Sequence, residues 1–308
     1  MQQCNISSEC RVTLFDHLAR CRNRKARLEE KARWKRISQW SIIKAISQSG
    51  LTKQKETEVI MKSSISAEEN GWVDYPAEHW DKMRPPDTIG DLPFWEHYAR
   101  KFGEPVLDVA CGNGRISIPL AEKGYQVVGI DINRQFIESA KKRLCDKAEV
   151  KQRVTFIVGD ILTLDIPGTF RTAIMPDWGF QVLLTPEDQI SFLERLHDRL
   201  LPGGAFCFNV FMPFNRQRGL VVKDGKYIWS PDPSYHKGGP REYDPVSQIE
   251  DLVEDNIHDI RLRHTNLSEL RLLFRLTGFE IAELYGSDDW RPFTGNIDND
   301  YTIIAKVI

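Results

Sequence analysis

Asp131 and Asp160 each stand just after a short apolar run, residues 126–130 and 154–158, and both follow a glycine pair, Gly112 and Gly114, that comes after an earlier run, 105–109. An apolar run entering two such glycines reads as a buried strand, a turn admitting close backbone approach, and a helix whose N-terminus faces the same crevice. Carboxylates at the next two strand ends border that crevice. One at the end of a second strand is placed to accept hydrogen bonds from ribose hydroxyls. One after the third is placed to accept from the exocyclic amine of a purine. Together they imply an adenosine-containing ligand. Asp108 and Ala110 line the turn, and Ile132 and Ile161 are the candidates to sandwich the base.

Phosphates do not suit this crevice. The dinucleotide fingerprint needs a third glycine three residues after the second, where this chain has Ser117, and the Lys-Ser/Thr of a phosphate loop is missing. An adenosine without phosphates fits better, which makes S-adenosylmethionine the leading candidate. Asp177, after a fourth apolar run, could meet the amine of the methionine part, steer an acceptor or act as general base; a plain turn aspartate beside Pro176 is the alternative. His236 could serve as a proton acceptor near neutral pH. Trp178, Phe180, Asn209, Phe211 and Tyr235 could shape an acceptor pocket or simply fill core, and His258 and His264 read as strand-face residues. No cluster of His, Cys, Asp and Glu argues for a catalytic metal, and the spacing of Cys4, Cys10, His17 and Cys21 matches no compact zinc module.

The elements that must position these residues alternate. Strands are expected at 105–109, 126–130, 154–158, 172–175 and 205–211, with helices at about 115–123, 134–147 and 186–200. Thr185 is a candidate N-cap for the last helix, with Glu187 and Asp188 in its first turn. Such units mean an α/β protein with a doubly wound, mostly parallel sheet covered on both faces, and ligands outside the carboxyl ends of its strands. A helix is expected over 91–102. Residues 72–86, dense in aromatics and broken by prolines, read as an irregular cover. Turn chemistry dominates 212–250, with short antiparallel strands expected at 221–222, 226–229 and within 249–264. A helix at 267–277, ended by Gly278, and strands at 279–285 and 301–307 complete the chain.

The 308 residues divide into a basic extension, 1–70, and a main domain, 71–308, with a lid insertion at about 212–265. A net charge of −2 hides the asymmetry, since residues 20–36 alone sum to +7. Trp34, Ile37, Trp40 and Ile43 form an apolar stripe behind these charges, so a helix over 27–48 is expected, its stripe packing on the main body or a partner chain. No apolar run approaches the roughly 20 residues of a membrane span. The first residues do not read as a secretory signal, and a cytoplasmic location is the default expectation.

Residues 105–211 resemble the class I S-adenosylmethionine-dependent methyltransferase family. The run Val106-Leu107-Asp108-Val109-Ala110-Cys111-Gly112-Asn113-Gly114-Arg115 is similar to its first motif. Gly129-Ile130-Asp131-Ile132 and Val158-Gly159-Asp160-Ile161 resemble the second and third, and Leu201-Pro202-Gly203-Gly204 the turn before strand five. The resemblance implies seven strands, the last two reversed. Pro93-Phe94-Trp95, the pair Trp80 and Arg84, and Leu284-Tyr285-Gly286 near Pro292-Phe293-Thr294 resemble the branch acting on small metabolites and natural products. In that branch the aromatic segment before strand one, here with Trp80, helps cover the cofactor, and the Arg84 position pairs with the methionine carboxylate. The insertion after strand five serves there as a substrate lid or dimer surface.

The function implied is methyl transfer to a nitrogen or oxygen, less readily a carbon, of a small-molecule acceptor by in-line displacement, with S-adenosylhomocysteine leaving. The lid and the N-terminal helix offer two surfaces for a homodimer. One alternative is an RNA methyltransferase using the basic arm, although residues 174–180 lack the Asn/Asp-Pro-Pro-aromatic signature of base-amino methylation. The other is a non-catalytic S-adenosylmethionine-binding partner subunit.

Overall fold

In the computed structural model the apolar runs pair side by side into a sheet whose two faces are both covered. The structure describes residues 71–210, 220–223, 226–229, 241–244, 246–254, 258–294 and 301–308. The 27–48 helix, the first three cysteines, His236 and Tyr235 lie outside the described residues.

Two helices, α1 (Ala77–Met83) and α2 (Leu92–Phe102), precede the first strand. There follow β1 (Val106–Val109), α3 (Ser117–Glu122), β2 (Val127–Asp131), α4 (Arg134–Lys142), α5 (Ala148–Lys151), β3 (Val154–Val158) and β4 (Phe170–Met175). A 3-10 turn, Gly179–Val182, leads to α6 (Pro186–Arg199) and β5 (Leu200–Val210). The insertion holds β6 (Leu220–Lys223), β7 (Lys226–Trp229), β8 (Arg241–Asp244), β9 (Ile249–Glu254) and β10 (His258–Arg263), and the chain continues with α7 (Leu267–Thr277), β11 (Phe279–Tyr285) and β12 (Tyr301–Val307).

Among the described residues the main sheet has seven strands in the order β11-β12-β5-β4-β1-β2-β3. Strands β1 to β5 are parallel, and β12 is antiparallel to both its neighbours, β5 and β11. Only one of the last two strands is therefore reversed, not both as the resemblance implied. The chain winds outward from β1 in both directions, which puts the topological switch point between β1 and β4. The insertion forms its own antiparallel sheet, β10-β9-β8-β7-β6, and its third strand, β8, lies among turn residues where none was expected.

Side-chain alternation along the strands builds two cores. Leu107, Val109, Phe206 and Phe208 face α6 and α7, while Val106, Val127 and Cys207 face α2, α3 and α4. Phe206 and Phe208 stack with centroids 4.4 Å apart, and Phe180 sits 5.0 Å from Phe208. Each such fully buried ring contributes about 1.5–3 kcal/mol. Helix starts carry the expected polar caps. Asn133 accepts from the amides of Gln135 and Phe136, Thr185 from Asp188, and Asn266 from Glu269. Gly278, at φ +86°, closes α7 as anticipated.

The cover before β1 is the clearest departure from expectation, because α1 is a regular helix. Its prolines lie outside it: Pro76 is the N-cap, while Pro85 and Pro86 come after its C-cap, Arg84. There they punctuate the helix without interrupting it. Glu78 in its first turn and Lys82 in its last match the helix dipole.

Candidate active site

A cleft opens at the carboxyl ends of β1, β2 and β4, lined by Asp108, Ala110, Gly112, Asp131, Ile132, Asp160, Ile161 and Asp177 from the residues singled out above. Trp80 lines it from α1. Gly114 and Arg84 do not reach the lining. Gly114, at φ +76°, turns its α-carbon toward Phe156, which a Cβ would meet at 2.8 Å. It is a packing glycine within the turn.

The turn and the acidic strand ends are one structure. Asp131 Oδ2 accepts the Gly112 amide at 2.8 Å, and its Oδ1 accepts the Asn133 amide at 2.8 Å. Gly112 adopts φ +55° so that its amide points there. Ala110, at φ +53°, bears left-handed strain without being a glycine, a feature typical of functional turns. Ser117, which stands where a third glycine would be, donates its hydroxyl to Asp108 at 2.5 Å. The missing fingerprint glycine is thus a buried hydrogen-bond donor to the strand-one carboxylate. Asp160 accepts the Leu162 amide at 2.9 Å.

Burial pushes Asp108 up to about 7, against the hydroxyl of Ser117 and the charge of Arg115. It pushes Asp131 up to about 6, against the two amides it accepts. An acid whose folded value is raised binds its proton more tightly in the native state, so stability falls as pH rises through the folded value. The ligand-free protein is therefore expected to melt at a higher temperature at pH 5 than at pH 8. A melting temperature that is flat or rises over that interval would contradict it.

Across the switch point, sequence analysis missed the central residue. Arg115, 8% exposed, donates to both oxygens of Asp91 at 2.5 and 2.9 Å, to the Thr88 carbonyl at 2.9 Å and to Asp177 Oδ2 at 2.8 Å. Arg84 pairs with the other Asp177 oxygen at 3.2 Å and lies 5.7 Å from the centre of the Trp178 ring. Both oxygens of Asp177 are thus held by guanidinium groups. Arg115 ends the first motif in the sequence, but its partners are 24 and 62 residues away.

Aromatic residues close the other side. Trp72, Tyr75, Trp80 and Phe136 form a nest of tilted and edge-on rings, with Trp72 and Trp80 at 5.5 Å and Trp80 and Phe136 at 5.8 Å. Asn133 ties this cover down by donating to the carbonyls of Trp72 and Tyr75 at 2.8 Å, and Asp81 accepts from Asn113 at 2.6 Å. Two buried polar atoms of cleft-lining residues, Trp72 Nε1 and Asn113 Oδ1, have no hydrogen-bond partner among the described residues. His264 lies one residue beyond the end of β10, is 4% exposed and faces Glu250 Oε2 at 2.8 Å. Asn209 accepts the Trp178 amide at 3.0 Å, and Phe180 is core. Among the described residues no helix is long and apolar enough to cross a membrane.

Comparison with known proteins agrees with this geometry. Residues 106–204 match the family model described as a methyltransferase domain. The chain is 42% identical over 204 residues to a ubiquinone biosynthesis O-methyltransferase of Nitrosospira multiformis, covering 66% of this chain and 73% of that protein. It is 28% identical over 206 residues to the cypemycin N-terminal methyltransferase of a Streptomyces species, covering 62% of this chain and 79% of that one. Among solved structures, the CcbJ methyltransferase from Streptomyces caelestis shares the fold with a TM-score of 0.62 at 18% identity, covering 78% of this chain and 98% of that one.

Proposed function

Because this chain belongs to the class I S-adenosylmethionine-dependent methyltransferase family, we propose that it methylates a nitrogen or oxygen of a small-molecule acceptor by in-line displacement. The observation that carries this is the division of the cleft about β1. Asp131 and Asp160, on the adjacent tips of β2 and β3, form a nucleoside side, and the Asp177 cluster after β4 forms a reacting side.

The residues present fit the cofactor. Asp131 offers ribose a carboxylate already fixed by two amides, and Gly112 leaves room beside Trp80, since a Cβ there would lie 3.4 Å from its indole nitrogen. Ile132 and Ile161 supply apolar faces for a base, Asp160 an acceptor at its edge, and Asn113 Oδ1 and Trp72 Nε1, without a partner among the described residues, further polar contacts. Arg84, paired with Asp177 just outside the cleft lining, would have to turn inward to meet the methionine carboxylate. S-adenosylmethionine, when bound, supplies a methyl group already activated by its sulfonium.

The protein's own work is then alignment and exclusion of water. Asp177, clamped by Arg84 and Arg115, steers the acceptor into line. From sequence alone, His236 in the insertion after β5 is the candidate proton acceptor. The two relatives named above, an N-terminal methyltransferase and an O-methyltransferase, are consistent with nitrogen or oxygen as the attacked atom.

The test is acceptor-dependent release of S-adenosylhomocysteine, with labelled methyl, across a panel of peptide and sugar amines and of phenols. Label on nitrogen or oxygen is expected. Asp160→Ala should weaken cofactor binding about tenfold, the loss of one partly exposed hydrogen bond to a charged group. Tight cofactor binding without turnover on any acceptor would instead favour a non-catalytic subunit.

A further inference from the structure

Gln181 and Gln189 are both fully buried, a rare state for an uncharged amide side chain. A glutamine so placed must find partners for its polar atoms, and both find them in one segment, residues 263–265. Gln181 Nε2 donates to the Arg263 carbonyl at 3.4 Å and meets His264 Nδ1 at 3.2 Å. Gln189 Nε2 donates to Thr265 Oγ1 at 2.8 Å, while its Oε1 accepts from Arg263 Nη1 at 3.0 Å. That segment is itself braced. His264 faces Glu250 of β9 at 2.8 Å, Arg263 pairs with Glu269 at 2.6 Å, and the Tyr301 hydroxyl donates to the Thr265 carbonyl at 2.9 Å.

What the two glutamines hold is a wall of the cleft. Val182, Leu183 and Leu184 lie between them in sequence and line it, and Gln189 also donates to the Leu183 carbonyl at 3.1 Å. On the other side of Gln181 stands the Asp177–Trp178 pair, at φ +51° and +61°. Two consecutive non-glycine residues in the left-handed region cost about 1–2 kcal/mol each, and such a pair persists only where its surroundings over-determine it. Here the surroundings are the Trp178 amide on Asn209, the Gln181 amide on the Trp178 carbonyl at 2.9 Å, and the two guanidinium groups on Asp177. The opposite rim is touched from the same sheet, since Ile260 of β10 joins Tyr75 and Phe136 in one apolar cluster.

From these contacts we propose that Glu250, His264 and Gln181 form a positioning chain. Through it the five-stranded sheet sets the conformation of the Asp177–Trp178 turn, and with it acceptor binding. None of the three is a catalytic residue. The kinetic half of the inference rests on the function proposed above; the structural half does not.

Hydrogen exchange separates the two. In Gln181→Leu, the amides of Trp178 and Gln181 should exchange at least about tenfold faster, while the Gly112 turn stays protected and cofactor affinity holds within about twofold. Acceptor kcat/KM should fall about tenfold, the scale on which misplacement of a reacting pair acts. Glu250→Ala should repeat both effects from the far end of the chain, serving if Gln181→Leu does not fold, and Glu250→Gln should restore most of each. Unchanged exchange at residues 176–184 in both disrupting variants overturns the inference. So does a fall in cofactor affinity parallel to the fall in acceptor turnover, which marks general loosening. If the exchange effects appear but the wild type methylates no acceptor, the positioning chain stands and the proposed activity fails.

Discussion

Replacing Asp131 by alanine is expected to weaken S-adenosylmethionine binding by about 100-fold or more, measured by titration calorimetry. Two roles are lost together. The carboxylate is the only side chain that accepts the Gly112 amide among the hydrogen bonds described, and it holds Asn133 at the start of α4 with its other oxygen. It is also the acceptor offered to the ribose hydroxyls, and hydrogen bonds to an ionised group are worth roughly 1.5–3 kcal/mol each, so losing about 2.7 kcal/mol gives the 100-fold. Stability should change less than binding. Burying the carboxylate is itself unfavourable, as its value of about 6 records, so the alanine relieves that cost while stranding two amides. Binding within threefold of wild type would remove Asp131 from the cofactor site and with it the assignment of the nucleoside side.

Arg115→Ala is expected to be the most destabilising single change in the cleft, by about 3–5 kcal/mol, because it leaves two largely buried carboxylates without their shared cation. The side chains of Arg115, Asp91 and Asp177 are 9, 15 and 23% exposed. Burial raises the Asp91 carboxyl, but the hydrogen bonds and charge of Arg115, with help from Trp95, hold it below the ordinary range. A lowered acid contributes stability above its unfolded value of about 3.9, and that contribution is lost as pH falls through the folded value. In the variant burial opposes only the weaker hydrogen bonds that remain, chiefly from the Trp95 indole, so acid disfavours its folded state less than in the wild type. The stability gap between the two proteins should therefore narrow as pH is lowered toward 4 in denaturant titrations. A gap that widens in acid, or a loss below about 1 kcal/mol, would show that the network is not the keystone of this side of the cleft.

The parts of the molecule legible in the sequence were those governed by local pattern. The 267–277 helix and strands 154–158, 279–285 and 301–307 come out at their expected bounds, because apolar period, an asparagine or glycine cap and flanking turns agree there. Asp131 and Asp160 were legible for a related reason, since each closes a strand whose order in the sheet follows from the alternation. What was not legible depends on distant partners. Arg115 is one charged residue after a glycine turn until Asp91 and Asp177 are brought to it. Gln181 and Gln189 look like surface amides until α6 and the end of β10 enclose them. Proline density hid α1, whose prolines bracket the helix instead of breaking it.

Strand β12 lies between β5 and β11, pairing Tyr301 with Val210 and Lys306 with Ala205 on one side and Val307 with Phe279 on the other. During synthesis this matters. Until residues 301–307 have emerged, β5 presents an unpaired row of amides and carbonyls next to Phe206 and Phe208, and β11 has no neighbour at all. Such an edge is a template for pairing with other chains, and the register that closes it spans about ninety residues of intervening chain, a slow kind of contact to form. The nascent protein thus carries its greatest aggregation hazard late, after the cleft strands are already made. Any fusion or shortening that hinders the entry of β12 should show first as insolubility, with the loss of cofactor binding only a consequence.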